Sequence, residues 1–282
     1  MVMARQLTDP VAYHGEGVVW SDAWGGLKWV DMLAGDILSL RPDETVTRQA
    51  TGSRIAAMVR PRASGGLIVF TERGYSLWTD SSLEWSSPAL FDDARRFNEG
   101  GCMPDGSVLC GTIADSRETG SGDVWRIGAD NSAAVLLGDV TISNGLGFTA
   151  AGDRMYYVDS RTRRVDVFDV AGGQLVDRRP HVSLPDGVGN PDGLTVDAEG
   201  GIWVALYNGA AVHHYDALGV LVQVFEVPAS RATSCTLGGP GLATLFITTS
   251  RESLSAEEEP LAGSIFTADA GVAGLPVLDA SL

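Results

Sequence analysis

Short apolar segments recur along this chain at a nearly constant spacing. Six of them follow a glycine-containing turn and start at positions 27, 67, 108, 155, 202 and 245, so successive starts differ by 40, 41, 47, 47 and 43 residues. They read LKWVDM, LIVFTE, VLCGTI, MYYVDS, IWVALY and LFITTS. A strand-and-turn unit that repeats every 40–50 residues or so is typical of a β-propeller. The pattern therefore predicts an all-β fold, a six-bladed β-propeller in which these segments are the second strands.

The segment before each of these runs is predicted to form the innermost strand of its blade. Five of the six open with an oxygen-bearing side chain, namely Glu16, Asn98, Asn144, Asp192 and Ser234. Because a propeller brings equivalent positions of its repeats together around one axis, we expect these side chains to converge at one mouth of the central channel. Taken singly, each Asn-Gly or Asp-Gly pair is also typical of a turn, which is the alternative interpretation.

The sixth repeat has no clear outer strand in its own stretch of chain. We expect residues 2–7 to supply it, so that the N- and C-terminal segments pair and close the ring, since closure removes exposed strand edges. No linker or low-complexity tract interrupts the repeats, and 282 residues with 44% hydrophobic content are enough for one closed core. The sequence therefore predicts a single domain over residues 1–282.

Charge and cysteine content narrow the function classes. The formal net charge is −16 and the pI is about 4.5, which argues against nucleic acid and anionic membrane surfaces as partners. No apolar run reaches the roughly 18 residues of a membrane span, and the start, MVMARQLTDP, lacks the apolar core of a secretory signal. The three cysteines fit no metal motif. We therefore expect a cytoplasmic protein that is a monomer or a weak homo-oligomer.

The converging side chains carry the candidate chemistry. Two carboxylates and two amide oxygens around one point favour a hard cation such as Ca²⁺, Mg²⁺ or Mn²⁺. The longer insertions, between Ala114 and Gly122 and between Ser250 and Gly263, both follow a second strand and are expected at this same rim. They would form lids or substrate walls, with Glu118 and Arg251 within reach.

Several of these segments closely resemble the family of gluconolactonase, regucalcin (senescence marker protein) and luciferin-regenerating enzyme. The resemblance covers nearly the whole chain and is carried by HGEGVVW (14–20), RFNEG (96–100), ISNGLGF (142–148), PDGLTVDAEGGIWVALYNG (191–209) and TSCTLGGPGLATLFITTSR (233–251). It implies a six-bladed propeller with one divalent metal ion at the top of the channel. It also implies hydrolysis of sugar lactones or related esters.

The resemblance also implies roles for individual residues. Glu16, Asn144 and Asp192 match the family's metal ligands, and the ion is expected to be Ca²⁺, with Mg²⁺, Mn²⁺, Zn²⁺ and Fe²⁺ as the other candidates. Arg96 and Asn98 match residues that contact substrate hydroxyls. Glu118, four residues before a strand-opening glycine, has the spacing of a loop glutamate that touches substrate in some members.

Three positions depart from the family's motifs. Val18 replaces a proline, Glu99 replaces an aspartate, and Gly147 stands where an aspartate is common. The three implied ligands are all present, so we expect metal binding to be retained. The departures are expected to alter the groups that support the ligands, and so the choice of substrate.

These observations predict metal-dependent hydrolysis of an aldonolactone, such as glucono-1,5-lactone or a pentonolactone. Asp192 is the expected general base as well as a ligand. No G-x-S-x-G segment exists, so a serine nucleophile is not expected. Two alternatives remain open: a non-catalytic calcium-binding or interaction propeller, and a metal-dependent esterase or phosphotriesterase that uses the same site.

Overall fold

Six sheets stand around a central channel in the computed structural model, which describes residues 1–282. The strands are, in chain order, β1 (Val2–Met3), β2 (Arg5–Gln6), β3 (Gly15–Ser21), β4 (Gly26–Asp31), β5 (Asp36–Leu40), β6 (Val46–Ala50), β7 (Ala56–Pro61), β8 (Leu67–Thr71), β9 (Tyr75–Trp78), β10 (Leu83–Ser86), β11 (Arg95–Cys102), β12 (Val108–Ala114), β13 (Gly122–Ile127), β14 (Ala133–Val140), β15 (Ser143–Phe148), β16 (Arg154–Asp159), β17 (Arg164–Ala171), β18 (Gln174–Ser183), β19 (Asn190–Val196), β20 (Ile202–Tyr207), β21 (Ala211–Tyr215), β22 (Leu221–Glu226), β23 (Ala232–Gly238), β24 (Thr244–Thr249) and β25 (Ile265–Asp269).

Each blade is an antiparallel meander that runs outward from the channel. Blades I to V are β3–β6, β7–β10, β11–β14, β15–β18 and β19–β22, and blade VI is β23–β25 with β2 at its outer edge. All six apolar runs singled out in the sequence are second strands. This arrangement confirms the predicted all-β, six-bladed propeller.

Burial follows the position of a strand within its blade. The second strand of blade III, Val108–Ala114, is buried at every residue, because both of its faces pack against neighbouring blades. The outer strand Leu83–Ser86 is exposed at every residue. The apolar side chains of the inner three strands thus form clusters between adjacent sheets, and these clusters hold the ring together.

The N-terminal segment closes the ring, but in a different way from the prediction. Arg5–Gln6 pairs antiparallel with β25, and the N–H of Leu7 donates to the carbonyl of Ile265 at 2.8 Å. Val2–Met3 instead pairs parallel with β22 of blade V. The expectation that residues 2–7 all belong to the last blade was therefore wrong. The segment joins blades V and VI because its two halves hydrogen-bond to different sheets.

The C-terminal segment crosses the far end of the channel. Its backbone bonds to the turns after β19 and β23, through Ala198 N–H to Ala273 O at 2.8 Å and Gly274 N–H to Leu242 O at 2.9 Å. Further along, Ala280 N–H donates to Pro61 O at 2.8 Å in blade II. This segment therefore connects blades on different sides of the ring.

The remaining features are small. The helices are four 3₁₀ turns of three residues: Asp22–Trp24, Met32–Ala34, Ser160–Thr162 and Pro240–Leu242. None of them has the length and apolar character needed to cross a bilayer. All three cysteines are buried and free.

Leu7 allows ring closure to be tested. Leu7→Pro removes the N–H that bonds to Ile265, whereas Leu7→Ala keeps it and removes only side-chain packing. We expect the proline variant to be less stable than the alanine variant by about 1–3 kcal/mol, because the closing strand loses a hydrogen bond and gains a steric conflict. Urea unfolding measures the difference. Equal midpoints for the two variants would show that this pairing does not stabilise the ring.

Candidate metal and substrate site

A β-bulge recurs at the same point of five inner strands. The pairing between inner and second strand skips residues there, and the skipped stretch contains or borders the polar residue expected from the sequence. The register shifts lie between Glu16 and Val19, Phe97 and Gly100, Ser143 and Leu146, Pro191 and Leu194, and Ala232 and Cys235. A bulge twists a strand and redirects a side chain. The recurring bulge thus explains why these polar side chains face the channel.

The Asn-Gly and Asp-Gly pairs lie within these bulged strands and are not turns. A Cβ at Gly145 would lie 2.2 Å from the backbone nitrogen of Leu194, and one at Gly193 would lie 2.4 Å from the hydroxyl of Ser234. Glycine is therefore required because neighbouring inner strands approach closely around the channel. The turn interpretation was wrong for these two pairs.

Buried aspartates fix the start of two of the inner strands. In blade I the carboxylate of Asp31 accepts from the N–H groups of Tyr13 and His14, both at 3.0 Å. In blade IV Asp159 accepts in the same way from the two residues that precede β15, Thr141 at 2.9 Å and Ile142 at 3.0 Å. Glu16 and Asn144 each follow such a clamped pair by two residues. Their backbone positions are thus set by a charge-assisted contact to the adjacent strand.

The polar side chains surround a cavity of about 360 Å³ at the start of the inner strands. Five of the residues predicted from the sequence line it: Glu16, Arg96, Asn98, Asn144 and Asp192. Ser234 does not, and lies deeper in the channel. Glu118 is exposed on the loop after β12 and is not part of the lining, whereas its neighbour Arg117 is. The spacing located the correct loop, but the backbone turns the arginine inward.

A chain of hydrogen bonds links three blades beneath this cavity. Arg96 donates to Asn98 Oδ1 at 2.7 Å, and Asn98 Nδ2 donates to Asn144 Oδ1 at 2.8 Å. Asn144 Nδ2 donates to the hydroxyl of Ser160 at 2.8 Å. That hydroxyl donates to the carbonyl of Pro191 at 2.6 Å, directly before Asp192. The position of one polar group therefore determines the next across blades III, IV and V.

Burial dominates the electrostatics of the two carboxylates. It raises the pKa of Asp192 well above its usual value, and repulsion from Glu16 and Glu99 raises it further. The pKa of Glu16 is also raised, first by burial and then by Glu99, although the N–H of Gly17 donates to its Oε2 at 3.2 Å. No donor of the protein reaches the carboxylate of Asp192. Arg96 in the same cavity opposes the rise at Glu16, but neither carboxylate forms an ion pair with an arginine or lysine, as buried carboxylates normally do.

The donor set of this cavity fits a hard divalent cation. The structure has no group of three or more histidine, cysteine, aspartate or glutamate side chains arranged to hold a metal ion. The candidate set consists instead of two carboxylates, Glu16 and Asp192, and the amide oxygen of Asn144, all of them oxygen donors. Ca²⁺ and Mg²⁺ prefer such ligands, and a cation there would pair directly with both carboxylates.

Sequence reasoning missed His14 and Glu252, which also line the cavity. His14 Nδ1 is 2.7 Å from the hydroxyl of Ser250, and its Nε2 is 3.6 Å from Glu16 Oε1. Burial lowers the pKa of His14 to about 4, so its ring is neutral at neutral pH. His14 was detectable, since it lies two residues before Glu16 and side chains two apart share a face of a strand. Glu252 lies on an irregular loop without such periodicity.

The three departures from the family's motifs lie around a second cavity deeper in the channel. This cavity has a volume of about 340 Å³, and its lining, mostly apolar, includes Val18, Glu99 and Gly147. Burial raises the pKa of Glu99 to about 7, opposed by Arg60 and by a hydrogen bond from Ser234. Its Oε2 has no hydrogen-bond partner. The departures thus reshape the channel below the candidate metal ligands, whereas those ligands are retained.

Fold and site together define a six-bladed propeller with a polar, metal-compatible site at one channel mouth. The chain belongs to the SMP-30/Gluconolactonase/LRE-like family, whose model matches residues 14–251. It is 31% identical over 280 residues to pentonolactonase XacC of Haloferax volcanii, covering 96% of each chain. It is 30% identical over 268 residues to regucalcin of Xenopus laevis, covering 89% of each. A solved luciferin-regenerating enzyme superposes with a TM-score of 0.87 at 25% identity, covering 99% of each chain.

Metal binding is testable without an activity assay. We expect Ca²⁺ to raise the melting temperature of the metal-depleted protein, because an ion at about 100 times its Kd stabilises the folded state by about 2.7 kcal/mol. Mg²⁺, Mn²⁺, Zn²⁺ and Fe²⁺ are compared in the same assay. Glu16→Gln and Asp192→Asn should each reduce the shift strongly. Glu252→Gln, which removes a carboxylate of the same cavity, is the matched control; if it alone abolishes the shift, the ligand set is wrong.

Proposed function

We propose that this protein is a metal-dependent lactonase that hydrolyses an aldonolactone, such as glucono-1,5-lactone or a pentonolactone, to the aldonic acid. The observation that carries this proposal is the pair of buried carboxylates, neither of them in an ion pair with an arginine or lysine, beside an amide oxygen at the mouth of the channel. The family name and the pentonolactonase relative support a sugar lactone as substrate. The regucalcin name of other relatives leaves a calcium-binding role as the competing outcome.

Glu16, Asn144 and Asp192 would hold the metal ion. When bound, a divalent cation supplies Lewis-acid polarisation of the lactone carbonyl and stabilises the negative charge that develops on its oxygen. Asn144 is held ready for this role, because its amide nitrogen is fixed by Ser160 and its oxygen by Asn98. A ligand oriented before binding loses less entropy when the ion arrives.

Asp192 would act as the general base. Its burial favours proton uptake, and no protein donor competes for its oxygens. A water oxygen adds to the lactone carbonyl carbon while an Asp192 oxygen accepts the proton of that water. The bond between the carbonyl carbon and the ring oxygen then breaks, and the ring oxygen leaves as a hydroxyl that carries the proton from Asp192. Lactone and water thus give the open hydroxy acid, with Asp192 regenerated.

Arg96 and Asn98 would both position the sugar, but they have different groups available for contacts with it. Asn98 uses both N–H groups of its amide on Ser143 O and Asn144 Oδ1, each at 2.8 Å. It therefore supports Asn144 and keeps only acceptor capacity for a substrate hydroxyl. Arg96 contacts Asn98 and the carbonyl of Phe97 through Nη1, so its other guanidinium nitrogens remain for the substrate.

Single substitutions should separate chemistry from positioning. Asp192→Ala removes a ligand and the base together, so we expect kcat to fall by about 10³-fold or more, since metal polarisation is worth several kcal/mol and each 1.36 kcal/mol is a factor of ten. Asn98→Ala should mainly raise KM and weaken metal affinity. The measurement is hydrolysis of glucono-1,5-lactone and of a pentonolactone by metal-depleted enzyme resupplied with one metal at a time, corrected for spontaneous hydrolysis.

The same assay decides between the lactonase and its alternatives. If Asp192→Ala keeps more than about a tenth of the wild-type kcat, the site is not where the chemistry happens. If the wild type binds Ca²⁺ and hydrolyses no lactone, the calcium-binding propeller is favoured. Esters and phosphotriesters in the same panel test the remaining alternative.

A further inference from the structure

Arginines are concentrated at the mouth of the candidate active site. Four of the seventeen residues that line the cavity are arginines, whereas the whole chain has 20 lysines and arginines among 282 residues and a net charge of −16. The four are Arg96, Arg117, Arg161 and Arg163. The cavity also contains the carboxylates of Glu16, Asp192 and Glu252, so its arginines outnumber its acidic side chains by one.

These arginines lie on one side of the opening. Arg117 is on the loop between β12 and β13 of blade III, and Arg161 and Arg163 are on the connection between β16 and β17 of blade IV. The acidic residue at the rim, Glu252, follows β24 of blade VI. The blade III and IV side thus offers positive charge to whatever occupies the cavity.

Two of the four guanidinium groups have no partner within the protein. Arg163 is engaged, since it donates to the carbonyl of Pro185 at 2.7 Å and lies 3.7 Å from Asp186. Arg96 donates to Asn98 through Nη1, and its other nitrogens belong to the part of the site proposed to hold the sugar. The side chains of Arg117 and Arg161 are exposed and form no hydrogen bond or ion pair with the protein. No contact within the protein therefore accounts for these two arginines.

The backbone at two of these positions is unfavourable for a long side chain. Arg117 and Arg163 have φ values of 52° and 54°, in the left-handed region that favours glycine. Blade I has Gly35, with φ of 73°, at the position equivalent to Arg163, directly after a three-residue 3₁₀ turn. Of the two arginines without a partner in the protein, Arg117 is the one held in this less favoured backbone region.

We propose that the sugar lactone taken by this enzyme carries a second, anionic group, a carboxylate or a phosphate, at the end of the sugar away from the lactone carbonyl. Arg117 and Arg161 bind this group. The inference rests on the proposed lactonase function and narrows its substrate class. The carbonyl end lies over Glu16, Asn144 and Asp192, and the anionic end points to blades III and IV. Arginine suits this task because its planar fork matches carboxylate and phosphate oxygens.

The test compares three lactones with the same ring: glucono-1,5-lactone, its analogue oxidised at C6 to a carboxylate, and its 6-phosphate ester. We expect kcat/KM for at least one anionic lactone to exceed that for the neutral one by about tenfold or more, the scale of one charge-assisted contact. The better of the two anions identifies the group. High salt should reduce this preference, because exposed charges are screened.

Variants connect the preference to the arginines. The double variant Arg117→Gln/Arg161→Gln should reduce the ratio of kcat/KM for the anionic lactone to that for the neutral one by about tenfold or more. Arg5→Gln/Arg41→Gln is the matched control: both arginines are exposed outside the cavity, and their loss removes the same two charges. We expect this control to keep the wild-type ratio.

The outcomes separate this inference from the proposed function. If the wild type hydrolyses the neutral lactone as well as either anionic one, the inference is overturned while the lactonase stands. A preference that survives in the double variant also overturns it. If no lactone is hydrolysed with any metal, the proposed function fails and this inference fails with it.

Discussion

The burial of two mutually repelling carboxylates is the constraint on which the rest of this structure depends. Glu16 and Asp192 approach each other from different blades in an environment that disfavours their ionised forms. A flexible scaffold would relax by moving them apart or into solvent. The closed ring prevents this, because each residue is held in a strand that is hydrogen-bonded on one side and packed against a neighbouring blade on the other. Because the two carboxylates are buried and cannot move apart, the site retains its affinity for a cation.

The scaffold meets this constraint by repeating one local device. A bulge re-aims a polar side chain, a glycine lets the next inner strand approach, and in blades I and IV a buried aspartate fixes the chain just before the bulge. Blade II lacks the polar residue and contributes Arg60 further down, where its guanidinium bonds to backbone carbonyls of blades I and III. The site is therefore a product of contacts between blades, and no single blade contains it.

Much of this was predictable from the sequence, for a physical reason. Repeats that bury the same faces must keep the same apolar pattern, so the six second strands and the convergence of Glu16, Asn144 and Asp192 followed from spacing. Features that depend on contacts between distant segments did not. The need for glycine at 145 and 193 comes from a neighbouring strand, and the choice of Arg117 over Glu118 comes from a backbone twist in a loop without periodicity. The division of residues 2–7 between two blades depends on which edges remain unpaired.

The closing strand also has a consequence for how this molecule reaches its native state. Arg5 and Gln6 pair with Thr267 and Phe266, so contacts that complete the ring join residues about 260 positions apart. During synthesis the first strands emerge long before their partners, and the loop-closure entropy of this pairing is overcome only at the end. The contacts within a blade are local in sequence, whereas the pairing that closes the ring has the largest sequence separation and is expected to form last. Until it forms, β22 and β25 expose edges that are open to pairing with another chain.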